Sequence, residues 1–142
     1  MKYLKSFILM IQFLTTLPVR AKLEVTTEDF GKGLIFAPVV GLLLGGILAG
    51  AWYIAGLWFP VQVTAVIIVI LYIVLTGGLH LDGLGDTFDG LFSNRSRERI
   101  LEIMRDSRVG TNAVLAVVSV LLLNSALLVS FSRDYIYIII LL

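Results

Sequence analysis

Three aspartates stand within eight residues in the segment HLDGLGDTFDG, which runs from His80 to Gly90 directly after a long apolar stretch. If this segment is helical, Asp82, Asp86 and Asp89 follow at i, i+4 and i+7 and share one helix face. Two carboxylates about 6 Å apart repel by about 3 kcal/mol at an effective dielectric constant near 20. The spacing therefore indicates compensation by protonation, by a bound cation or by an arginine partner.

Magnesium or a similar hard cation suits such oxygen ligands. The chain has no cysteine, and a carboxylate site without thiolates favours magnesium over zinc. Asp82 and Asp89 would be about 10 Å apart along a straight helix, so one ion cannot bind all three aspartates. Two metals, a bend at the glycines or ligands from a second helix would then be needed. Gly83, Gly85 and Gly90 lack side chains, which predicts that a large substrate can approach the backbone there.

A second helix is predicted over residues 95–108, RSRERILEIMRDSR. Its candidate caps are Ser93, Asn94 and Ser96. Glu98, Glu102 and Asp106 recur at four-residue spacing and would share one face. This acidic face can complete a metal site.

Arginines surround that predicted helix. Arg105 and Arg108 flank Asp106 and are the candidates for phosphate binding, because a guanidinium group offers paired donors to phosphate oxygens. The remaining three, Arg95, Arg97 and Arg99, fit equally well as membrane anchors. His80 is either an interfacial side chain or a catalytic one. Carboxylates, a divalent cation and arginines at a membrane surface together indicate transfer of a phosphoryl-type group.

The composition indicates that a membrane holds these residues in place. The chain of 142 residues is 58% hydrophobic and only 15% charged, whereas ordinary globular proteins contain about 25% charged residues. Its net charge of +1 predicts no strong binding of polyanions such as nucleic acids. We expect an all-α, polytopic integral membrane helix bundle without a sheet, surrounded by a lipid bilayer.

Three stretches without charge are long enough to cross a hydrocarbon core of about 30 Å as helices. They are residues 33–59, 61–79 and 111–131. Residues 80–110 are predicted to form the polar segment between the last two. Residues 135–142 are predicted to open a truncated further span or, being too short to cross, to pack against a partner. The whole chain, 1–142, is predicted to be a single membrane domain.

The N-terminal residues 1–22 combine lysines with an apolar centre, as a signal peptide or an interfacial helix would. Arg20 and Lys22 crowd a cleavage site near Ala21, which favours the interfacial helix. After a polar loop, Thr26 or Thr27 is predicted to cap the next helix, with acidic residues in its first turn.

Lysine and arginine placement predicts the orientation. Ten of these residues flank the spans on one side, and only Arg133 falls on the other. Because cytoplasmic flanks are enriched in them, we expect a multi-pass protein of the cytoplasmic (inner) membrane. Its N terminus and its acidic segment would be cytoplasmic.

The first span carries a set of glycines that can act as a packing face. Gly41, Gly45, Gly46 and Gly50 make two small-residue pairs at four-residue spacing. Such pairs allow close helix packing within a chain or in a homo-oligomer, although glycine is also simply frequent in membrane helices.

Several longer segments of the sequence resemble those of a known protein family. TGGLHLDGLGDTFDG and SRERILEIMRDSRVGT, with FLTTLPV and GLIFAPVVGLLLG before them, closely resemble cobalamin synthase, the adenosylcobinamide-GDP ribazoletransferase family of vitamin B12 biosynthesis. The resemblance covers nearly the whole chain. It implies a magnesium-dependent membrane transferase that joins adenosylcobinamide-GDP to alpha-ribazole or its 5'-phosphate, releasing GMP.

The same resemblance implies roles for the site residues. Asp82, Asp86 and Asp89 would form the metal and pyrophosphate site, with Asp106 as a fourth metal ligand. The ribazole hydroxyl would attack the cobinamide-linked phosphorus while GMP leaves, and the general base would be one of the aspartates or His80. The two arginines beside Asp106 would hold phosphate.

Members of this family are longer, so we expect further spans and ligands from a second half, without which this chain alone would be incomplete.

Other classes of protein compete with this interpretation. A CDP-alcohol phosphotransferase also uses spaced aspartates and magnesium, but its longer motif is not reproduced here. A non-enzymatic cation-binding or transport protein would show ion flux or partner binding without nucleotide turnover.

Overall fold

A computed structural model describes residues 2–131, all of whose regular structure is helical. The helices are α1 (Lys2–Leu14), α2 (Thr27–Gly33), α3 (Ala37–Ala55), α4 (Val61–Thr76), α5 (Leu79–Leu91), α6 (Arg97–Ile103) and α7 (Thr111–Ser130). A 3₁₀ turn, Leu34–Phe36, joins α2 to α3. The predicted all-α class is confirmed, while the predicted span over residues 135–142 lies outside the described residues.

Within residues 2–131, two helices are long and apolar enough to cross a membrane. One is the stretch Thr27–Ala55, which consists of α2, the 3₁₀ turn and α3 in succession, and the other is α7. Only 11% of the apolar window of α7 is buried within the chain, so its remaining surface must face lipid or other protein. A third crossing is available if α4 and α5 are taken together. This agrees with the predicted membrane helix bundle.

The α4–α5 connection is a sharp bend of 89°. Gly77 and Gly78 have φ angles of +63° and +73°, a left-handed conformation that only glycine adopts at low cost. The Gly78 N–H donates to the Ile73 carbonyl and the Gly77 N–H to that of Val74, which is the Schellman pattern of a helix end. The predicted span over 61–79 therefore ends as a helix at Thr76, and α5 leaves it nearly at a right angle.

The N-terminal helix packs against the start of the first membrane helix. Met10 of α1 and Val40 of α3 are fully buried and belong to the same hydrophobic cluster. Lys5 donates to Asp29 at 2.8 Å, and Asp29 also takes part in a capping box with Thr26. Thr26 is thus the helix cap, one of the two predicted positions.

A second hydrophobic cluster joins α3 to α4. Leu48 and Trp52 of α3 are buried against Ala65 and Ile68 of α4. Helix α7 packs across both α4 and α5. Between these contacts, many large apolar side chains remain exposed, as expected where lipid replaces water.

The second predicted helix is shorter than expected. Helix α6 ends at Ile103, and its N-cap Ser96 makes no side-chain capping hydrogen bond. The Oδ1 atom of Asp106 accepts the backbone N–H of Arg108, a local turn that competes with continuation of the helix. Extension of this helix to Arg108, with Asp106 on the face of Glu98 and Glu102, was therefore wrong.

The glycine face of α3 is only partly used within the chain. Gly45 is buried. Added Cβ atoms at Gly41, Gly46 and Gly50 would meet nothing within 4 Å. Packing of these three against a second copy stays a prediction.

Candidate active site at the α4–α5 bend

A cleft of about 890 Å³ opens beside the bend. Its walls come from the bend itself, from one side of α5, from the first half of α7 and from the segment after α1. Phe13, Ile73, Val114 and Val117 contribute apolar surface, and Asp82 and Asp86 contribute the charged groups. The volume lies within the range of about 300–1,000 Å³ typical of small-molecule sites.

Asp82 and Asp86 are one turn apart on α5. Both line the cleft. Within residues 2–131 neither carboxylate has a hydrogen-bond or ion-pair partner. Two adjacent and unpaired carboxylates beside an apolar cleft can attract a cation from solution.

Asp89 has a different environment although it follows on the same helix face. Its Oδ2 atom accepts the N–H of Gly110 at 2.6 Å, and its Oδ1 atom accepts the N–H of Ala113 at 2.9 Å. Both oxygens are therefore bound to backbone donors at the start of α7. The charge of Asp89 is compensated by backbone dipoles, which the sequence did not indicate.

Asp106 is paired with Arg108 in the loop before α7. The Arg108 Nε atom lies 3.0 Å and the Nη2 atom 2.6 Å from Asp106 Oδ2. Hydrogen bonds from the side chain and then the backbone of Arg108 lower the pKa of Asp106, and Coulombic attraction adds to them. The same pair raises the pKa of Arg108.

The structure therefore separates the four aspartates predicted to bind metal. In the described part of the chain, no group of three or more His, Cys, Asp or Glu residues is placed to hold a metal ion. Asp82 and Asp86 stay together at the cleft, whereas Asp89 is bound to α7 and Asp106 to Arg108. Metal binding by any of them stays a prediction.

The other predicted site residues lie around this centre. His80 is exposed, and because it precedes Asp82 by two residues it points to nearly the opposite side of α5. Gly83 is exposed with open space around it. Gly90 is buried, and a Cβ there would lie 2.6 Å from Met104 Cγ. Gly90 thus has a packing role in the α5–α6 contact, and its position gives no support to a substrate contact.

The arginines differ in their freedom to bind phosphate. The Arg105 side chain is exposed and has no carboxylate partner among residues 2–131. Arg108 is exposed but engaged by Asp106. Arg105 is therefore the more available of the two.

Sequence reasoning missed several residues that build the cleft. Gly77 and Gly78 set the bend, and a Gly-Gly pair after an apolar run was a usable signal for a helix end. Thr15, Thr16 and Thr76 also line the cleft. Their hydroxyls donate to helix carbonyls of Ile11, Val74 and Tyr72. No local pattern indicates the Thr16 contact, because its partner is 58 residues away.

Fold and site together define a helical membrane protein with a two-carboxylate cleft at a broken helix. The sequence model of a family described as cobalamin-5-phosphate synthase matches residues 6–142. The chain belongs to this family.

Curated relatives agree with that assignment. A protein of Acetivibrio thermocellus named adenosylcobinamide-GDP ribazoletransferase is 66% identical over 130 residues, covering 92% of this chain and 52% of the relative. One of the same name from Clostridium acetobutylicum is 56% identical over 135 residues, covering 95% and 54%. The chain thus spans about half the length of the curated relatives it matches. No solved structure matches it.

Proposed function

We propose that the full-length protein transfers the adenosylcobinamide-phosphate group from adenosylcobinamide-GDP to alpha-ribazole or alpha-ribazole 5'-phosphate. A hydroxyl oxygen of the acceptor forms the new bond to phosphorus. The bond from that phosphorus to the GMP oxygen breaks, and GMP leaves with the bridging oxygen. The family assignment and the name of the relatives support this reaction.

In the structure of this chain, the pair of Asp82 and Asp86 is the observation that supports the proposal. Their unpaired carboxylates share one side of a helix beside a cleft. Mg²⁺ in proteins is usually held by one or two carboxylates together with water and substrate phosphates. Two carboxylates therefore fit the ion, and neither Asp89 nor Asp106 is required. A bound Mg²⁺ would neutralise charge on the diphosphate of the donor.

The remaining groups suit the two substrates. The apolar walls of the cleft can bury a non-polar part of the acceptor and exclude water. Arg105, exposed and without a carboxylate partner among residues 2–131, is placed on the loop that leads to the cleft-lining Val109. A guanidinium there can bind a phosphate of the donor. The general base is one of the two cleft aspartates, or His80 after a change of position.

The distribution of charge supports the proposed membrane orientation. The excess of lysine and arginine on the side of α5 and α6 supports a cytoplasmic location for the cleft. Helix α5 leaves α4 at 89°, which would place it along the membrane surface if α4 crosses the bilayer. A lipid surface beside the cleft suits a bulky donor.

Release of GMP from adenosylcobinamide-GDP tests the reaction. The full-length protein is assayed with alpha-ribazole over a range of Mg²⁺ concentrations, beside Asp82→Asn, Asp86→Asn and the control Glu24→Gln. We expect each aspartate variant to lose about 10²-fold or more, the usual effect of removing a group that stabilises developing charge. Glu24→Gln, an exposed position outside the cleft, should keep its rate. Turnover by both aspartate variants within a few-fold of the unaltered protein would contradict the assigned roles.

A further inference from the structure

We infer that Asp89 is a positioning residue that fixes α5 to the start of α7 and does not bind metal. By holding α5 in place it sets where Asp82 and Asp86 stand in the cleft. The inference rests on the proposed function for the meaning of that cleft. It divides the three aspartates of one helix face into two roles.

The first observation is that Asp89 caps α7 from a distance. The start of a helix leaves N–H groups without partners, and the side chain of the N-cap residue normally accepts one at the second or third helical position. The N-cap of α7 is Gly110, which has no side chain to do this. Ala113, the third residue of α7, instead donates to Asp89, 24 residues earlier.

The second observation is that the space around the Asp89 carboxylate and the electrostatic field at the start of α7 are both unfavourable for a cation. A Cβ atom on Gly110 would lie 2.6 Å from Asp89 Oδ1 and 2.7 Å from Oδ2, so the carboxylate is seated directly against the backbone. The positive end of the α7 dipole favours a carboxylate and repels a metal ion. Metal bound to Asp89 would have to share oxygens already held by two N–H donors.

The third observation links this cap to the cleft. Gly85 of α5 is buried, and a Cβ there would lie 3.2 Å from Ala113 Cβ. Ala113 thus contacts α5 at two positions one turn apart: it packs against Gly85 and donates its N–H to Asp89. Asp86 and Asp82 stand on the same helix about one and two turns from Asp89, so any shift of the Asp89 contact moves both into a different position.

Three measurements on the full-length protein test the inference. Mn²⁺ serves as the metal probe, and its binding is followed by electron paramagnetic resonance in Asp82→Asn, Asp89→Asn and Gly110→Ala. Hydrogen exchange of the amides at residues 110–113 is measured by mass spectrometry. GMP release gives kcat and the Mg²⁺ concentration for half-maximal rate. Gly31→Ala, at an exposed position of α2 with nothing within 4 Å, is the matched control for the glycine change.

A positioning role predicts a specific combination of results. Asp89→Asn should lower kcat by about tenfold to a hundredfold, the usual cost of a slight misplacement. Mn²⁺ affinity should stay within about twofold, because Asp82 and Asp86 keep their mutual spacing on one helix when α5 shifts as a unit. Amides at 110–113 should exchange at least about tenfold faster. Gly110→Ala, which keeps the carboxylate but displaces it, should reproduce these changes. Asp82→Asn should weaken Mn²⁺ binding by about tenfold or more and leave the exchange unchanged.

Other results would overturn the inference. If Asp89→Asn weakens Mn²⁺ binding as much as Asp82→Asn and leaves amide exchange unchanged, Asp89 is a ligand. If Gly110→Ala has no effect on kcat or exchange, the contact does not position α5. Should Asp89→Asn fail to fold, Gly110→Ala decides, since it retains every acidic side chain. Failure of the proposed function is distinguishable, because the unaltered protein would then neither bind Mn²⁺ nor release GMP, while the exchange measurement still reports on the cap.

Discussion

Thr16 donates its backbone N–H to the carbonyl oxygen of Leu75 at 2.8 Å. Its hydroxyl donates to the neighbouring carbonyl of Val74, also at 2.8 Å. Both carbonyls lie in the last turn of α4, where a helix has no internal donors left. The segment after α1 therefore completes the end of α4 directly beside the Gly77 bend and forms one wall of the cleft.

Removal of the Thr16 hydroxyl should weaken this junction. Thr16→Val leaves the Val74 carbonyl with the Gly77 N–H alone and should lower the free energy of unfolding by about 1 kcal/mol, the usual net value of one hydrogen bond. Thr16→Ser keeps the donor and is the matched control. Reversible denaturation in detergent measures both. Equal stability of the two variants would show that the hydroxyl contributes nothing.

A side chain at Gly77 should be costly for a conformational reason. At φ +63° an alanine suffers a clash with its own backbone worth about 1–2 kcal/mol, and its Cβ would also lie 3.2 Å from Thr16 Cγ2. We expect Gly77→Ala to lower stability and GMP release, whereas Gly78→Asn, at an open position, should be milder because Asn tolerates this conformation. Thermal unfolding and turnover of the two variants give the comparison, and the reverse order would contradict the bend geometry.

Much of the fold could be predicted because membrane helices are indicated by features of the local sequence. Long runs without charge predicted the helices that include residues 37–55, 61–76 and 111–130, and Thr26 followed by acidic residues predicted a cap. The helical spacing of Asp82 and Asp86 placed both on one side of α5. Each of these features depends on residues within a few turns of one another.

The rest depended on contacts between distant segments. Asp89 resembles its two neighbours in sequence, and only the α7 N-terminus, more than twenty residues later, distinguishes it. Asp106 fitted a helix by spacing, but its own bond to the Arg108 backbone ends that helix early. Local periodicity cannot show which of two competing hydrogen bonds a carboxylate makes.

Gly85 should be intolerant of a large side chain, in contrast to Gly83. A Leu at Gly85 must displace Ala113 and Val117 of α7, and overpacking of this kind costs about 1–3 kcal/mol. Gly83→Leu, with open space at the same helix, should be close to neutral in stability. Denaturation curves of the two proteins check this difference. Similar losses in both would mean that α5 does not cross α7 at Gly85.

Single cysteines should report the proposed orientation, since the chain contains none of its own. Cysteines replacing Lys22 and Ser93 should react with an impermeant maleimide only when the cytoplasmic side is open, and one replacing Trp58 only from the opposite side. Trp58 is 80% exposed in the α3–α4 turn. Labelling of intact cells and of inverted vesicles distinguishes the two sides. The opposite pattern would overturn a cytoplasmic cleft.

The Asp106–Arg108 pair should give stability a small acid dependence of defined sign. Arg108 lowers the pKa of Asp106 below its ordinary value of 3.8, so the stabilisation is present above that value and is lost as pH falls through the lowered pKa. The effect should be modest because the pair is solvent-exposed and screened by salt. Thermal unfolding of the protein and of Arg108→Gln, compared between pH 7 and pH 3, should show a difference in unfolding temperature that shrinks towards acid. A difference that grows towards acid, or one that is the same at both pH values, would show that the pair does not couple folding to the charge of Asp106.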